Sequence, residues 1–226
     1  MRSSSAFRLL VLALLLCVCV GCLRPGVAFS GVRALRHLEK LCALGPRPVG
    51  SSAYVRAGEY IERVLERNGW EVSRQDFAYQ GERVRNILGK KGQGPLIIVA
   101  AHYDTRPLAD RDPADRSQPV VGANDGASGA GVLLELARVL DQDVFQEVQI
   151  WLAFLGGEDR EEINNWEPAV GAKHLAQSVM ASNAQRPEYV LVLNMVGDKD
   201  QTLYYEWTST LWLQEKLFHS AIALGY

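Results

Sequence analysis

Four short stretches of this chain carry the side chains able to do chemistry. They are Ala101-His102-Tyr103-Asp104, Asp125 within Gly-Ala-Asn-Asp-Gly-Ala-Ser-Gly, Gly156-Gly157-Glu158-Asp159, and Asn194-Met195-Val196-Gly197-Asp198. One imidazole and several carboxylates that converge repel each other unless a cation sits among them, because uncompensated charge is costly to take out of water. A mixed His and carboxylate set suits zinc, whereas calcium and magnesium favour all-oxygen shells. In His102-x-Asp104 the carboxylate can accept a hydrogen bond from the second ring nitrogen, or from its neighbourhood, and fix the imidazole's orientation.

Taken singly, each stretch has a plainer reading. A His after a strand is commonly just a polar strand end, and Glu158-Asp159 runs on into Arg160-Glu161-Glu162 as a solvated charged run would. Trp166 reads as a loop aromatic packed on the sheet edge. His37, His174 and His219 fall in expected helices and are assigned no ligand role. The glycines from Gly126 to Gly131 do not follow GxGxxG, and no clear strand precedes them, so a dinucleotide loop is excluded.

The elements that must position these residues follow from hydrophobic periodicity. Ser30 can cap a helix with Val32, Leu35, Leu38 and Leu41 on one stripe, which also takes in Cys42 as a buried structural thiol. Ser51 or Ser52 starts a second helix that stops near Gly69. Trp70 to Leu88 alternates as a hairpin should. Leu96 to Ala100, Val148 to Leu155 and Tyr189 to Leu193 are near-continuous apolar runs, expected of central strands covered on both faces. Helices are expected over Gly129 to Leu140, Val170 to Met180 and Leu211 to Leu224. Strand and helix alternation predicts an α/β three-layer sandwich: a mostly parallel central sheet, an antiparallel edge hairpin and helices on both faces. In such a sheet the functional crevice lies beyond the carboxyl ends of the strands, and three of the four stretches follow apolar runs.

The ordered set AHYDTRP, VVGANDGASGAGVLLELARVL, FLGGED and LNMVGD resembles the co-catalytic zinc aminopeptidase family that also contains the glutaminyl cyclases. The resemblance runs from about Gly45 onward. It implies one or two zinc ions, with Asp125 as the bridging carboxylate, His102 a ligand of one ion, Asp159 a ligand of the other, and Glu158 the general base. The family more often has Glu where Asp159 stands, and usually has Asp where Asn194 stands. The metal position served by His102 is therefore expected to be weakened or empty, and Asp198 lies too far along the segment to substitute. The family's last ligand, a His on a further strand-end loop, has no match here, so the catalytic domain, residues 22–226, is expected to be truncated at its C-terminus.

The opening MRSSSAFRLLVLALLLCVCVGC places Arg2 and Arg8 ahead of an apolar run too short to span a bilayer, which is the layout of an export signal over residues 1–21. Cys19-Val20-Gly21-Cys22 resembles a lipoprotein cleavage box with lipid on Cys22, the one membrane attachment expected; cleavage after Ala28 is the rival. Either way the protein is exported, to the bacterial cell envelope or beyond. A formal charge of -2 with both signs interspersed provides no nucleic-acid footprint. The implied activity is removal of N-terminal residues from peptide substrates. Two alternatives stand beside it: glutaminyl cyclisation, suggested by Trp166-Glu167-Pro168 and the segment Gly171 to Ala176, and a lipid-anchored peptide-binding relative without catalysis.

Overall fold

A computed structural model describes residues 28–140, 143–181, 186–202 and 204–225. The export segment and Cys22 lie outside the described residues. Among those described, no helix is long and apolar enough to cross a membrane.

Helix α1 (Gly31–Ala43) begins where the Ser30 side chain accepts a hydrogen bond from the Arg33 amide, and α2 (Ser52–Arg67) where Ser51 does the same for Tyr54. The hairpin of β1 (Glu71–Tyr79) and β2 (Glu82–Gly92) follows, then β3 (Leu96–His102). Beyond a long excursion come α3 (Gly129–Val139), the single turn α4 (Val144–Glu147), β4 (Gln149–Leu155), α5 (Val170–Ala181), β5 (Tyr189–Val192) and α6 (Leu211–Ala223).

The five strands lie in the order β1-β2-β4-β3-β5. The period-2 alternation of the strands sorts the core onto two faces. Ile87, Ala101, Leu152 and Phe154 meet Ile61 and Leu65 of α2 and Leu133 and Leu134 of α3 on one side. Leu88, Ile98, Ala100, Ala153 and Leu155 meet Leu175 and Val179 of α5 on the other. Helices on both faces and an antiparallel hairpin at one edge are thus present. The expected mostly parallel sheet is corrected: β1 with β2 and β2 with β4 pair antiparallel, and only β4 with β3 and β3 with β5 pair parallel. The three continuous apolar runs do pair parallel with one another; both antiparallel pairings involve β2, because the hairpin joins the same sheet beside β4 and so makes up half of its pairings.

Two further expectations change. β5 is not covered on both faces among the described residues: its outer edge pairs with no strand there, and Val190 and Val192 are exposed. On α1 only Ala34 and Leu41 are buried, with Val32 and Leu35 in solvent and Cys42 half-buried. The reason is how α1 meets α3. Gly131 lies so close to α1 that a side-chain carbon there would stand 2.7 Å from the Ala34 carbonyl oxygen. The Ser30 amide donates to the fully buried Glu135 carboxylate of α3 at 2.9 Å.

Candidate metal centre and active site

Parallel register sets His102 beside Leu155, so β3 and β4 leave the sheet at the same edge and deliver their following loops together. The third component arrives from the segment before α3. A π-helical turn over Ala123–Ser128 is broken at Asp125 (φ -86, ψ 110) and Gly126 (φ 88), and the break turns the Asp125 carboxylate toward β3. Its Oδ1 lies 2.9 Å from His102 Nε2. Glycine is required at 126: a side-chain carbon there would stand 2.5 Å from the Asp104 carbonyl oxygen and 3.2 Å from His102 Cε1, on a left-handed backbone. Gly126→Ala is therefore expected to cost about 2–4 kcal/mol of stability, read as a lowered urea midpoint.

Asp104 is fully buried and holds the loop after β4. Its two oxygens accept the backbone amides of Glu158 (3.3 Å) and Asp159 (3.2 Å). Its Oδ1 also sits 3.5 Å from His102 Nδ1, an ion-pair contact that leaves this buried nitrogen without a hydrogen-bond partner among the described residues. Asp104 thus reaches the imidazole as the HxD spacing suggests, but its two hydrogen bonds go to the Glu158-Asp159 loop. The Asp159 Oδ2 in turn accepts the Arg106 amide at 2.8 Å.

The electrostatics of this cluster follow from burial and sign. Burial opposes charge on His102, but the flanking carboxylates Asp104 and Asp125 outweigh it and raise the imidazole to about 11. The hydrogen bond from His102 holds the Asp125 carboxyl below its ordinary value. Burial pushes Glu158 upward, helped by Asp104 and Asp125, and pushes Asp159 up to about 7, helped by the same two carboxylates. Without a metal, a folded pKa raised above its unfolded value contributes stability that is full below the unfolded value and lost as pH rises through the folded one. Asp159 and Glu158 both carry that sign. The depressed Asp125 acts only below the ordinary carboxylate range. In the presence of a chelator, the thermal midpoint is expected to fall between about pH 5 and about pH 8, and added zinc to restore it at the higher pH. A chelated protein equally stable at both would contradict the assigned shifts.

His102, Asp104, Asp125, Glu158 and Asp159 are thus gathered at one edge of the sheet. Asn194 follows β5 and is exposed. Its segment is tied to the Asp125 turn: the Gly197 amide donates to Asn124 Oδ1 (2.9 Å) and the Val196 amide to Ser128 Oγ (3.0 Å). Trp166 is buried beneath the Glu158 loop, its indole N–H donating to the Gly157 carbonyl at 3.3 Å, with Tyr79 edge-on and Arg160 over the ring. His37 donates to or accepts from Tyr60, His174 stacks on Phe77, and His219 lies in α6, each away from the cluster.

Sequence reasoning missed Arg47. This fully buried guanidinium donates to the carbonyls of Leu41, Gly45, Tyr103, Val121 and Gly122, while the Arg47 amide donates to Thr105 Oγ1. It therefore fastens the loop after His102 to the segment before Asp125. Its local signal was slight, a lone Arg between Pro46 and Pro48.

Among the described residues, no three His, Cys, Asp or Glu side chains already close on one point. The donor chemistry nevertheless fits a zinc ion. Asp104, Asp125, Glu158 and Asp159 crowd one imidazole, burial and the neighbouring carboxylates push the carboxyls of Glu158 and Asp159 upward, and His102 Nδ1 is buried with no hydrogen-bond partner among the described residues. A divalent cation relieves that repulsion, and mixed imidazole and carboxylate donors are the set zinc accepts.

Residues 84–224 match the Peptidase family M28 profile. The Escherichia coli (strain K12) protein YfbL is 32% identical over 164 residues, covering 70% of this chain and 47% of that protein. Among solved structures, Bacteroides thetaiotaomicron glutaminyl cyclase superposes with a TM-score of 0.77 at 29% identity, covering 88% of this chain and 74% of that one. A leucine aminopeptidase precursor from Bacteroides thetaiotaomicron VPI-5482 gives 0.77 at 28% identity, covering 89% and 75%. The chain spans about half the length of the curated relatives it matches first, 47% of each.

Proposed function

Because this chain belongs to peptidase family M28, we propose that it is a zinc-dependent enzyme acting on peptide N-termini, and that its reaction is cyclisation of N-terminal glutamine to pyroglutamate with release of ammonia. The observation that carries the cyclase reading is the unequal charge of two strand-end segments near Asp125. The segment after β5, tied to the Asp125 turn through Val196 and Gly197, contributes the neutral, exposed Asn194, whereas the loop after β4 contributes Asp159 and Glu158, both buried enough to raise their carboxyls. That distribution supports one zinc, held by Asp125 and Asp159, with His102 orienting Asp125.

When bound, the zinc supplies Lewis-acid polarisation of the substrate's side-chain amide carbonyl. Glu158 then takes the proton from the N-terminal amine as its nitrogen bonds to the side-chain carbonyl carbon, and passes it to the amide nitrogen, which leaves as ammonia. A carboxyl that burial holds above its ordinary value is suited to both transfers, since it is a better proton acceptor than an exposed carboxylate and can still give the proton up. Asp104 holds the backbone that carries Glu158.

Hydrolysis of the N-terminal residue is the second reading, favoured by His102 beside Asp125, the pair a second zinc would use. In either case, residues 1–21 act as the export signal and peptides are met outside the cytoplasm. The test incubates zinc-loaded protein with a peptide beginning in Gln and with an unblocked peptide lacking it, and follows both by mass spectrometry. Ammonia loss from the first, without chain shortening, supports cyclisation. Release of free amino acids from either supports hydrolysis. Neither change, in protein shown to hold zinc, would leave a non-catalytic peptide binder as the better account.

A further inference from the structure

We propose that Arg106 is a positioning residue for Asp159, holding that carboxylate in place from the base of the excursion formed by residues 106–120. The proposal rests on the reading of Asp159 as a zinc ligand. An Asp at this position reaches one methylene less far than a Glu, so its placement depends on how tightly the surroundings hold it.

Both carboxylate oxygens of Asp159 face Arg106. The backbone N–H donates to Oδ2 at 2.8 Å, and Nη1 stands 3.9 Å from Oδ1. The guanidinium cannot swing away, because its Nε and Nη2 fork onto the two oxygens of Asp110 at 2.5 and 2.7 Å, and the side chain is only 11% exposed. A planar fork on a carboxylate is geometry that Lys cannot reproduce.

The excursion that carries this pair is fixed at both ends. At its base the Val120 amide donates to the Arg106 carbonyl (3.4 Å) and the Ala109 amide to the Gln118 carbonyl (2.7 Å). Near its tip Arg111 pairs with Glu162 (3.3 Å) and Glu161 (3.8 Å), just beyond Asp159. The excursion and the Glu158-Asp159 loop are therefore joined at Asp159 and again just beyond it, with Arg106 as the inner contact. Partners of metal ligands that fix them in this way typically change metal affinity by about 10–100-fold when removed.

Zinc affinity of the full chain, measured by competition with a chromogenic chelator, tests this without reference to activity. Arg106→Ala keeps the backbone N–H and removes the Nη1 contact with Asp159 together with the fork on Asp110 that holds it there; it is expected to weaken zinc binding by about 10-fold or more at an unchanged urea midpoint. In an Asp159→Glu background, where the longer side chain reaches without help, the same change is expected to cost little. Should Arg106→Ala fail to fold, Asp110→Asn releases the guanidinium from a more exposed position and is expected to weaken zinc in the same direction. Zinc affinity unchanged in Arg106→Ala, or lowered equally in the Asp159→Glu background, overturns the proposal while leaving the functional reading intact. A wild-type chain that binds no zinc overturns both.

Discussion

Arg47→Met is expected to remove about 4 kcal/mol or more of folding stability, and zinc uptake with it. The five carbonyls that Arg47 serves come from the end of α1, the loop after β3 and the segment before Asp125. Each hydrogen bond from a charged donor contributes roughly 1.5–3 kcal/mol, and the carbonyls left behind keep their desolvation cost with no partner. Against a total stability of roughly 5–15 kcal/mol, such a loss brings the chain close to unfolding. Lys at this position supplies three donors on a flexible stem and cannot match the fork, so Arg47→Lys is expected to recover only part of the loss. Equilibrium urea unfolding of the two variants measures this. A midpoint within experimental error of the wild type in Arg47→Met would mean that the network is incidental.

Glu158→Gln is expected to lower turnover by about 10²–10⁴-fold, the usual worth of a positioned general acid-base. The fold is expected to survive unharmed or to gain slightly. The Glu158 carboxyl is pushed upward by burial and by Asp104 and Asp125, so an amide of the same shape removes a strained charge. Zinc content is expected to stay at the wild-type level, because in the proposed reading Asp125 and Asp159 hold the metal. That combination of lost turnover, kept zinc and kept thermal midpoint separates a proton-transfer role from a ligand or packing role. Retained turnover would remove Glu158 from the mechanism. Loss of zinc would make it a ligand.

Much of the site was legible in advance because its side chains follow apolar runs. A run such as Leu96 to Ala100 marks a buried strand, and the polar residues after it can only emerge at that strand's end. His102 and Glu158 could be placed at one edge on that ground, provided β3 and β4 run parallel, which they do. Asp125 was identifiable through the resemblance of its segment to the zinc aminopeptidase family, and the structure gives a reason for the glycine that follows it: Gly126 has no room for a side chain. Asn194 stood out because it is neutral where a charge was expected. It follows β5 and is exposed.

What the sequence by itself determined is the chemistry available and the edge of the sheet where it collects, since residue types and local periodicity are properties of neighbours along the chain. What only the tertiary structure decided is which partners hold that chemistry in place. The insertion of β4 between β2 and β3, the grip of Asp104 on the amides of Glu158 and Asp159, the clamp of Arg47 on Val121 and Gly122, and the approach of Arg106 to Asp159 all join residues more than 50 positions apart. Contacts at that separation leave no periodic trace, because each depends on one hydrogen bond formed after the layers have packed and not on a pattern repeated along a helix or strand.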